Sequence, residues 1–430
     1  MTPHITETTE RALANGKGRL SQELNGSGDS HRHGATTSPP PHVAAQQPKR
    51  RPPHGRVAVV HDWLDSYAGA ELVVEHLLDL FDEADIFTLV DFLPPNDRHI
   101  LNGNKVFTSF LQRLPLARKK FRGYLPLMPL AVEQFDLSGY DVVVSSNHAV
   151  CKGVLTREDQ LHLCYMHTPV RYAWDLYHET LRINKLTRGV KSIVTRLILH
   201  YLRMWDFATA SRVDAFAANS HYVARRIWKT YRRKARVIYP PVSIERFQMQ
   251  RAKEDFYVTL SRLVPYKRVD LIVDAFARMP GKRLVVIGDG PERSKLESRA
   301  TPNVTFLGRA PAEQVNEHLQ AAKAFVFAAD EDFGISPIEA QACGTPVIAY
   351  GHGGATETVV ENQTGLFFEQ QTAESLMSAI EAFEEYQGRF QPEEIRAHAE
   401  QFAPERFRAR FDAFIGYHLE KRRARQRAAV

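Results

Sequence analysis

Short apolar runs recur in two successive series. Each run closes on a turn and is followed by a helical pattern, and this leaves the chain few folds to choose from. The first series opens with RVAVVHDWL (56–64), in which Val57 to Val60 suit a buried parallel strand. The small-residue turn Tyr67-Ala68-Gly69-Ala70-Glu71 and a helical pattern running to Phe81 come next. IFTLV (86–90), DVVVSS (141–146), LHLCYM (161–166), AFAAN (215–219) and RVIYPPV (236–242) continue the series. The second begins with FYVTLS (256–261) and the helix VDLIVDAFARM (269–279). It continues through RLVVIGDG (283–290), VTFLG (304–308), AFVFAA (324–329), TPVIAY (345–350) and TGLFF (364–368). The pattern predicts an α/β chain of two doubly wound, Rossmann-like domains, 56–250 and 251–403, parted at the polar stretch QMQRAKED. Residues 404–430 read as an amphipathic helix with a basic tail, because Phe407, Phe411, Phe414 and Leu419 fall near helical spacing.

Composition narrows the class. Residues 1–55 are rich in Pro, Ser, His and Gly and poor in large apolar residues, which predicts a disordered N-terminal tail. No apolar run is long enough to span a membrane, and the N-terminus has no signal-like apolar core. Cys151, Cys164 and Cys343 are far apart and lack zinc spacing, which suggests a reducing compartment, most simply the cytoplasm. The net charge of +6 is mild. Its distribution is less so: stretches 98–132 and 180–205 hold no acid. Lys119, Lys120 and Arg122 lie in the first, beside Phe110, Phe121, Tyr124, Leu125, Leu127 and Met128. That mixture suits an anionic membrane surface, although both stretches could equally pack inside or face water.

Three segments carry candidate chemistry. Asp330-Glu331-Asp332-Phe333-Gly334-Ile335-Ser336-Pro337-Ile338-Glu339 follows an apolar strand and leads into a helix. It sets two carboxylates, Glu331 and Glu339, across a strand–turn–helix junction where open α/β sheets bind ligands. Gly334 permits close backbone approach, and the helix start offers free N–H groups to an anion. A plain acidic loop with a helix-surface Glu has the same spacing. Arg262 and Lys267, after the first strand of the second series, could converge on a diphosphate or form a solvated basic loop. Gly288-Asp289-Gly290-Pro291-Glu292-Arg293 fails as G-x-G-x-x-G because Arg293 stands at the last glycine position, which argues against a dinucleotide oxidoreductase. Asp330-x-Asp332 mimics a metal-binding D-x-D, but its place inside the glutamate pair argues against a metal, and none is expected.

Together these segments resemble the retaining GT-B glycosyltransferases of family 4, over roughly residues 56–420. Glu331-x7-Glu339 matches the family's E-x7-E motif, and SRLVPYKRVD (261–270) matches its R-x4-K segment. VIGDGPE (286–292), VTFLGR (304–309) and GTPVIAYGHGGATETV (344–359) match its remaining donor-side loops. The resemblance implies two domains facing a central cleft, with the C-terminal helix crossing back onto the first. It implies that Glu339 holds the ribose hydroxyls and Glu331 the donor sugar. Backbone at Phe333, Gly334, Ile335 and Ser336 would meet sugar and phosphate, with Gly288, Gly290 and Arg309 around the nucleotide. Arg262 and Lys267 would stabilise the leaving diphosphate. Gly69-Ala70-Glu71 is similar to the family's G-G-A-E loop, with Ala68 in place of the first glycine.

The segment His167-Thr168-Pro169-Val170-Arg171-Tyr172-Ala173-Trp174-Asp175 resembles that of a bacterial mannosyltransferase-like branch, in which His167 would touch the donor sugar. A strand-end His also serves packing or capping. Arg171, Tyr172 and Trp174 are acceptor candidates, the aromatics equally core residues. The implied reaction is metal-independent hexosyl transfer from a nucleotide sugar, GDP-mannose first and a UDP-sugar second. The implied acceptor is a lipid-linked or oligosaccharide glycan at the inner face of the membrane, in surface polysaccharide synthesis. No resident cofactor and no nucleic-acid partner is expected. A catalytically inactive scaffold and a nucleic-acid-binding protein are the competing classes; the second lacks aromatic–basic modules.

Overall fold

The computed structural model describes residues 54–428. The expected disordered tail therefore lies outside the described residues, apart from His54 and Gly55. His54 is buried, with its ring nitrogen 3.3 Å from the Asp412 carboxylate.

The first sheet is wholly parallel, because its strands are joined by helical crossovers rather than hairpins. It contains β1 (Val57–His61), β2 (Ala84–Thr88), β3 (Val106–Thr108), β4 (Val142–Asn147), β5 (Leu161–Met166), β6 (Ala215–Ala218) and β7 (Ala235–Val237). Their order is β3-β2-β1-β4-β5-β6-β7. The helices used below are α1 (Gly69–Leu78), α2 (Met128–Glu133), α3 (Val190–Thr209) and α4 (His221–Tyr231). Every residue of β1, β4 and β5 is buried, as expected of strands covered on both faces.

The second sheet repeats the plan. It contains β8 (Tyr257–Leu260), β9 (Leu284–Ile287), β10 (Val304–Gly308), β11 (Ala324–Phe327), β12 (Val347–Tyr350) and β13 (Gly365–Phe368), in the order β10-β9-β8-β11-β12-β13. Its helices include α5 (Val269–Ala277), α6 (Ile335–Ala342) and α7 (Ala373–Tyr386). The two halves are the Rossmann-like domains of a GT-B fold.

The last helix, α8 (Pro404–Ala428), crosses back to the first domain. Phe407, Phe411, Phe414 and Ile415 are buried in the same cluster as Val57, Leu77 and Tyr165. The Phe407 and Tyr165 rings meet edge to face at 5.6 Å. The crossing begins where the Val242 N–H donates to the Phe402 carbonyl at 2.9 Å.

Three local readings differ from the observed elements. RVIYPPV forms a strand only over Ala235–Val237, since Pro240 and Pro241 have no N–H to give a ladder. β3 escapes the apolar pattern because it is a three-residue edge strand with Phe107 exposed. The 20-residue helix α3 was visible only as a basic, acid-free stretch.

Candidate active site

In both sheets the strand order reverses beside the first strand, between β1 and β4 and between β8 and β11. A crevice opens at the carboxyl ends of strands at such points. The candidate residues gather at these two crevices.

On the second domain the loops after β8 and β9 interlock. Ser261 N–H donates to the Ile287 carbonyl at 3.1 Å and Leu263 N–H to the Asp289 carbonyl at 3.0 Å. Gly288 has φ +131°, and a Cβ there would stand 1.9 Å from the Ser261 carbonyl oxygen, so only glycine closes this junction. The contact fixes the segment that carries Arg262 and Lys267. Lys267 pairs with Glu331 from the loop after β11, so one candidate cation and one candidate carboxylate already touch. Arg262 and Arg309 are exposed, and neither has an ion-pair partner among the described residues.

Glu339 lies on α6, half-buried, with no side-chain hydrogen bond among the described residues. Burial pushes its carboxyl up to about 7, against an opposing pull from Arg246. Arg246 is a residue that the motif pattern does not single out. The Phe333 side chain is buried against Tyr239 and Phe402, so only its backbone is free for the role implied by the motif. Gly334 caps the start of α6, and Ile335 and Ser336 form its first turn. A Cβ on Gly69 would approach the Ile335 side chain to 2.7 Å, so the first domain's glycine turn faces the donor-side helix directly.

Across the crevice, the first domain presents a compact polar cluster. Asp62, fully buried after β1, accepts backbone N–H bonds from His148, Ala149, Val150 and Cys151 at 2.6–2.8 Å. Burial would raise its pKa, but His148, His61 and these donors outweigh burial and hold it below the ordinary carboxylate value. His61 Nδ1 meets the Ser146 carbonyl at 3.1 Å, and its Nε2 stands 3.6 Å from Glu71. Burial pulls His61 down, yet Glu71 and Asp62 together leave it above its usual value.

His167 lies just past β5, with Nε2 2.8 Å from the Ser146 hydroxyl. Burial, aided by His148 and His61, holds it well below the ordinary imidazole value, so it stays neutral near pH 7. Asp62, His61 and His148 were not singled out from sequence. The only signal of the first two is the sequence His61-Asp62-Trp63 at the end of β1, and its meaning depends on β4, which His148 follows, ending alongside.

A latch joins the domains. Arg226 on α4 pairs with Asp332, and Arg171 lies 3.6 Å from the same carboxylate. The Ser220 hydroxyl donates to the Asp332 carbonyl at 2.6 Å. Glu357 accepts the N–H groups of His221 and Tyr222 at 2.7 and 2.8 Å, placing a carboxylate at the start of α4. The Tyr222 hydroxyl lies 3.3 Å from Asp330. Both carboxylates of the D-x-D mimic therefore face the first domain. No group of three or more metal-ligating side chains occurs among the described residues.

The acceptor and membrane candidates of the first domain are partly engaged with neighbouring residues. Arg171 takes part in the latch, pairing with Asp175 and lying near Asp332. The Trp174 indole N–H donates to buried Asp206 at 2.7 Å, and Tyr172 packs on the first domain's core, which makes both part of the packing. Arg122 is tied to Asp65 at 2.6 Å and lies over the Phe121 ring. Phe121 and Met128 are core residues, Lys119 is exposed and Lys120 half-exposed. Phe110 and Leu127 are exposed, so the stretch 98–132 presents both cations and apolar side chains at the surface. No helix among the described residues is long and apolar enough to cross a membrane.

Comparison with known proteins fits this geometry. The family model "Glycosyltransferase Family 4" matches residues 67–246, and "Glycosyl transferases group 1" matches 243–406, so the two together take in both domains. The chain is 34% identical over 142 residues to D-inositol 3-phosphate glycosyltransferase of Mycobacteroides abscessus, covering 30% of this chain and 32% of that protein. It is 33% identical over 140 residues to the GDP-mannose-dependent alpha-(1-6)-phosphatidylinositol monomannoside mannosyltransferase of Mycolicibacterium smegmatis, covering 29% and 37%. The aligned stretch thus spans about a third of the length of these curated relatives. Among solved structures, Anabaena Alr3699/HepE in complex with UDP matches with a TM-score of 0.61 at 17% identity, covering 84% of this chain and 100% of that one. Sucrose-phosphate synthase (tll1590) from Thermosynechococcus elongatus matches with a TM-score of 0.66 at 20% identity, covering 86% and 100%. These structural likenesses speak for the fold. With paired parallel sheets, a glutamate pair at the second crevice and family models matching both halves, the chain belongs to the GT-B glycosyltransferases of family 4.

Proposed function

We propose that this protein transfers a hexose from a nucleotide sugar, mannose from GDP-mannose first, with retention of anomeric configuration. The acceptor in this reading is a lipid-linked or oligosaccharide glycan at the cytoplasmic face of the cell membrane, in surface polysaccharide synthesis. The observation that carries the reading is the Lys267–Glu331 pair at the second crevice, with α6, which bears Glu339, starting opposite Gly69 of the first domain. GDP-mannose and a lipid acceptor draw support from the named activity of the mannosyltransferase relative.

The chemistry follows from these residues. Lys267 leaves Glu331 for the diphosphate and, with Arg262, neutralises the charge that develops as the diphosphate departs. The freed Glu331 takes donor-sugar hydroxyls. Glu339 accepts the ribose hydroxyls, and N–H groups at the start of α6 meet phosphate oxygens. Neutral His167 donates to or accepts from the sugar without adding charge. The departing phosphate oxygen removes the acceptor proton on the same face, so no protein nucleophile is needed. Arg262 and Lys267 supply the counter-charge, and turnover needs no divalent metal.

Calorimetry with GDP-mannose, GDP-glucose, UDP-glucose and UDP-galactose tests this, followed by NMR of the product anomer. GDP-mannose binding and an α-product are expected. Selective binding of a UDP-sugar would reassign the donor, and no binding of any would make the chain an inactive scaffold.

A further inference from the structure

Helix α3 is built inside out. An ordinary surface helix turns its apolar stripe to the core and its polar face to water. Here the inward face includes Ser192, Thr195, Asp206 and Thr209 beside Leu199 and Leu202. The outward face carries Val190, Ile193, Leu197, Tyr201, Met204 and Phe207, each between 48% and 76% exposed. These positions recur every three or four residues, so they form a continuous stripe along the helix.

Polar bonds hold the helix to its domain. Buried Asp206 takes Lys152, the Trp174 indole and the Tyr231 hydroxyl, and Lys152 also reaches Thr209 at 3.2 Å. Anchored in this way, α3 does not need its apolar stripe for folding. A contiguous exposed apolar face of this kind marks an interaction surface.

Charge identifies the occupant. The only acid in α3 is the buried Asp206, and none occurs from 180 to 205. Exposed Arg182, Lys185, Arg188 and Lys191 lead into the start of the stripe. The neighbouring helix α2 is joined to α3 by the Trp205 indole donating to Glu133 at 3.0 Å. It exposes Leu130, within the other acid-free stretch. A second copy of this chain would bring these cations face to face with their like. Anionic headgroups complement them, while the stripe enters the acyl boundary.

We propose that the outward face of α3 docks this protein on an anionic lipid bilayer, with the stripe 190–207 in the interface and the cations of 182–191 on the headgroups. The proposal deepens the membrane placement proposed above and rests on it. It names, beside residues 119–122, a helix that the motif pattern does not single out.

Sedimentation of the full chain with vesicles tests it, comparing phosphatidylcholine alone with phosphatidylcholine–phosphatidylglycerol mixtures. Binding should require phosphatidylglycerol and fall as salt rises. The exposed-site variant L197E/M204E should bind at least about tenfold more weakly, with melting temperature and GDP affinity unchanged. K185E/R188E/K191E should abolish the preference for anionic lipid. Absence of vesicle binding at low salt would sink both the membrane placement and this surface. Binding untouched by L197E/M204E would leave the placement standing and remove α3. A wild-type dimer in sedimentation velocity that L197E/M204E converts to monomer would assign the face to a second copy. GDP-mannose titrated in parallel keeps failure of the donor reading separate from all three.

Discussion

The two domains share one strand plan, yet they spend their polar residues differently. In the second, Lys267 and Glu331 pair with each other, but two further groups are left available: the Glu339 side chain has no hydrogen-bond partner among the described residues, and Arg262 is exposed without an ion pair. In the first, backbone donors close around one carboxylate, while His61 Nε2 and His148 Nδ1 have no hydrogen-bond partner among the described residues. Asp62 alone accepts four backbone N–H groups, and His61 sits between Ser146 and Glu71. A group that must meet a ligand is left open, and a group that must hold a loop is closed. The second crevice therefore reads as the donor site; in the first, Asp62 holds the loop after β4, and His167 stays partly exposed beside it.

The largest expected effect strikes the open side. Lys267→Ala should lower turnover by about 10²–10³-fold, because a cation aimed at developing charge is lost. Steady-state kinetics with a folded variant checks this, and a loss under tenfold would remove Lys267 from the leaving-group side.

On the closed side the damage should appear in stability instead. Asp62→Asn sets an amide NH₂ against two backbone N–H groups and should cost about 3 kcal/mol in denaturant melts. Because the folded Asp62 has a depressed pKa, its contribution is present above the unfolded carboxylate value of about 4 and is lost as pH falls through the folded value. Wild type and variant should converge in acid; a gap that stays constant down to the acid transition would mean the carboxylate charge is not what stabilises the loop.

A third expectation sharpens the meaning of open. Glu339→Ala should weaken GDP binding by roughly 1.5–3 kcal/mol. Its folded carboxyl is raised to about 7, so below that pH the free site is largely protonated. Ribose hydroxyls favour the carboxylate, and GDP affinity should therefore rise with pH through about 7, with proton release on binding. Calorimetry in buffers of different ionisation enthalpy detects that proton; a flat pH profile would place the ribose elsewhere.

A smaller effect belongs to the latch between the domains. Arg226→Ala removes the pair to Asp332 and should raise KM several-fold with kcat nearly unchanged. X-ray scattering should show a more open free protein; an unaltered scattering profile would mean Ser220 and Glu357 suffice. The smallest expected effect is none at all: exhaustive EDTA treatment should leave turnover unchanged, and activity restored by Mn²⁺ would return Asp330 and Asp332 to consideration as ligands.

The sequence by itself determined the parts whose physics is local. Apolar runs of strand length, glycines at tight turns and the fixed spacing of Glu331 and Glu339 are properties of a few consecutive residues. They made both sheets apart from the short edge strand β3, and the loops of the second crevice, legible in order. Tertiary structure decided the parts that depend on what a residue meets. His61 and Asp62 acquire partners only because β4 ends beside β1. Arg171 meets Asp332 only because the second domain is brought against it, and Trp174, a candidate for core and acceptor wall alike, gives its N–H to buried Asp206 from a distant helix. Helix α3 shows the division most sharply. Its apolar and polar residues alternate with ordinary helical spacing, and spacing cannot tell inside from outside. The buried bond between Lys152 and Asp206 turned the polar face inward and left the apolar one to the surface.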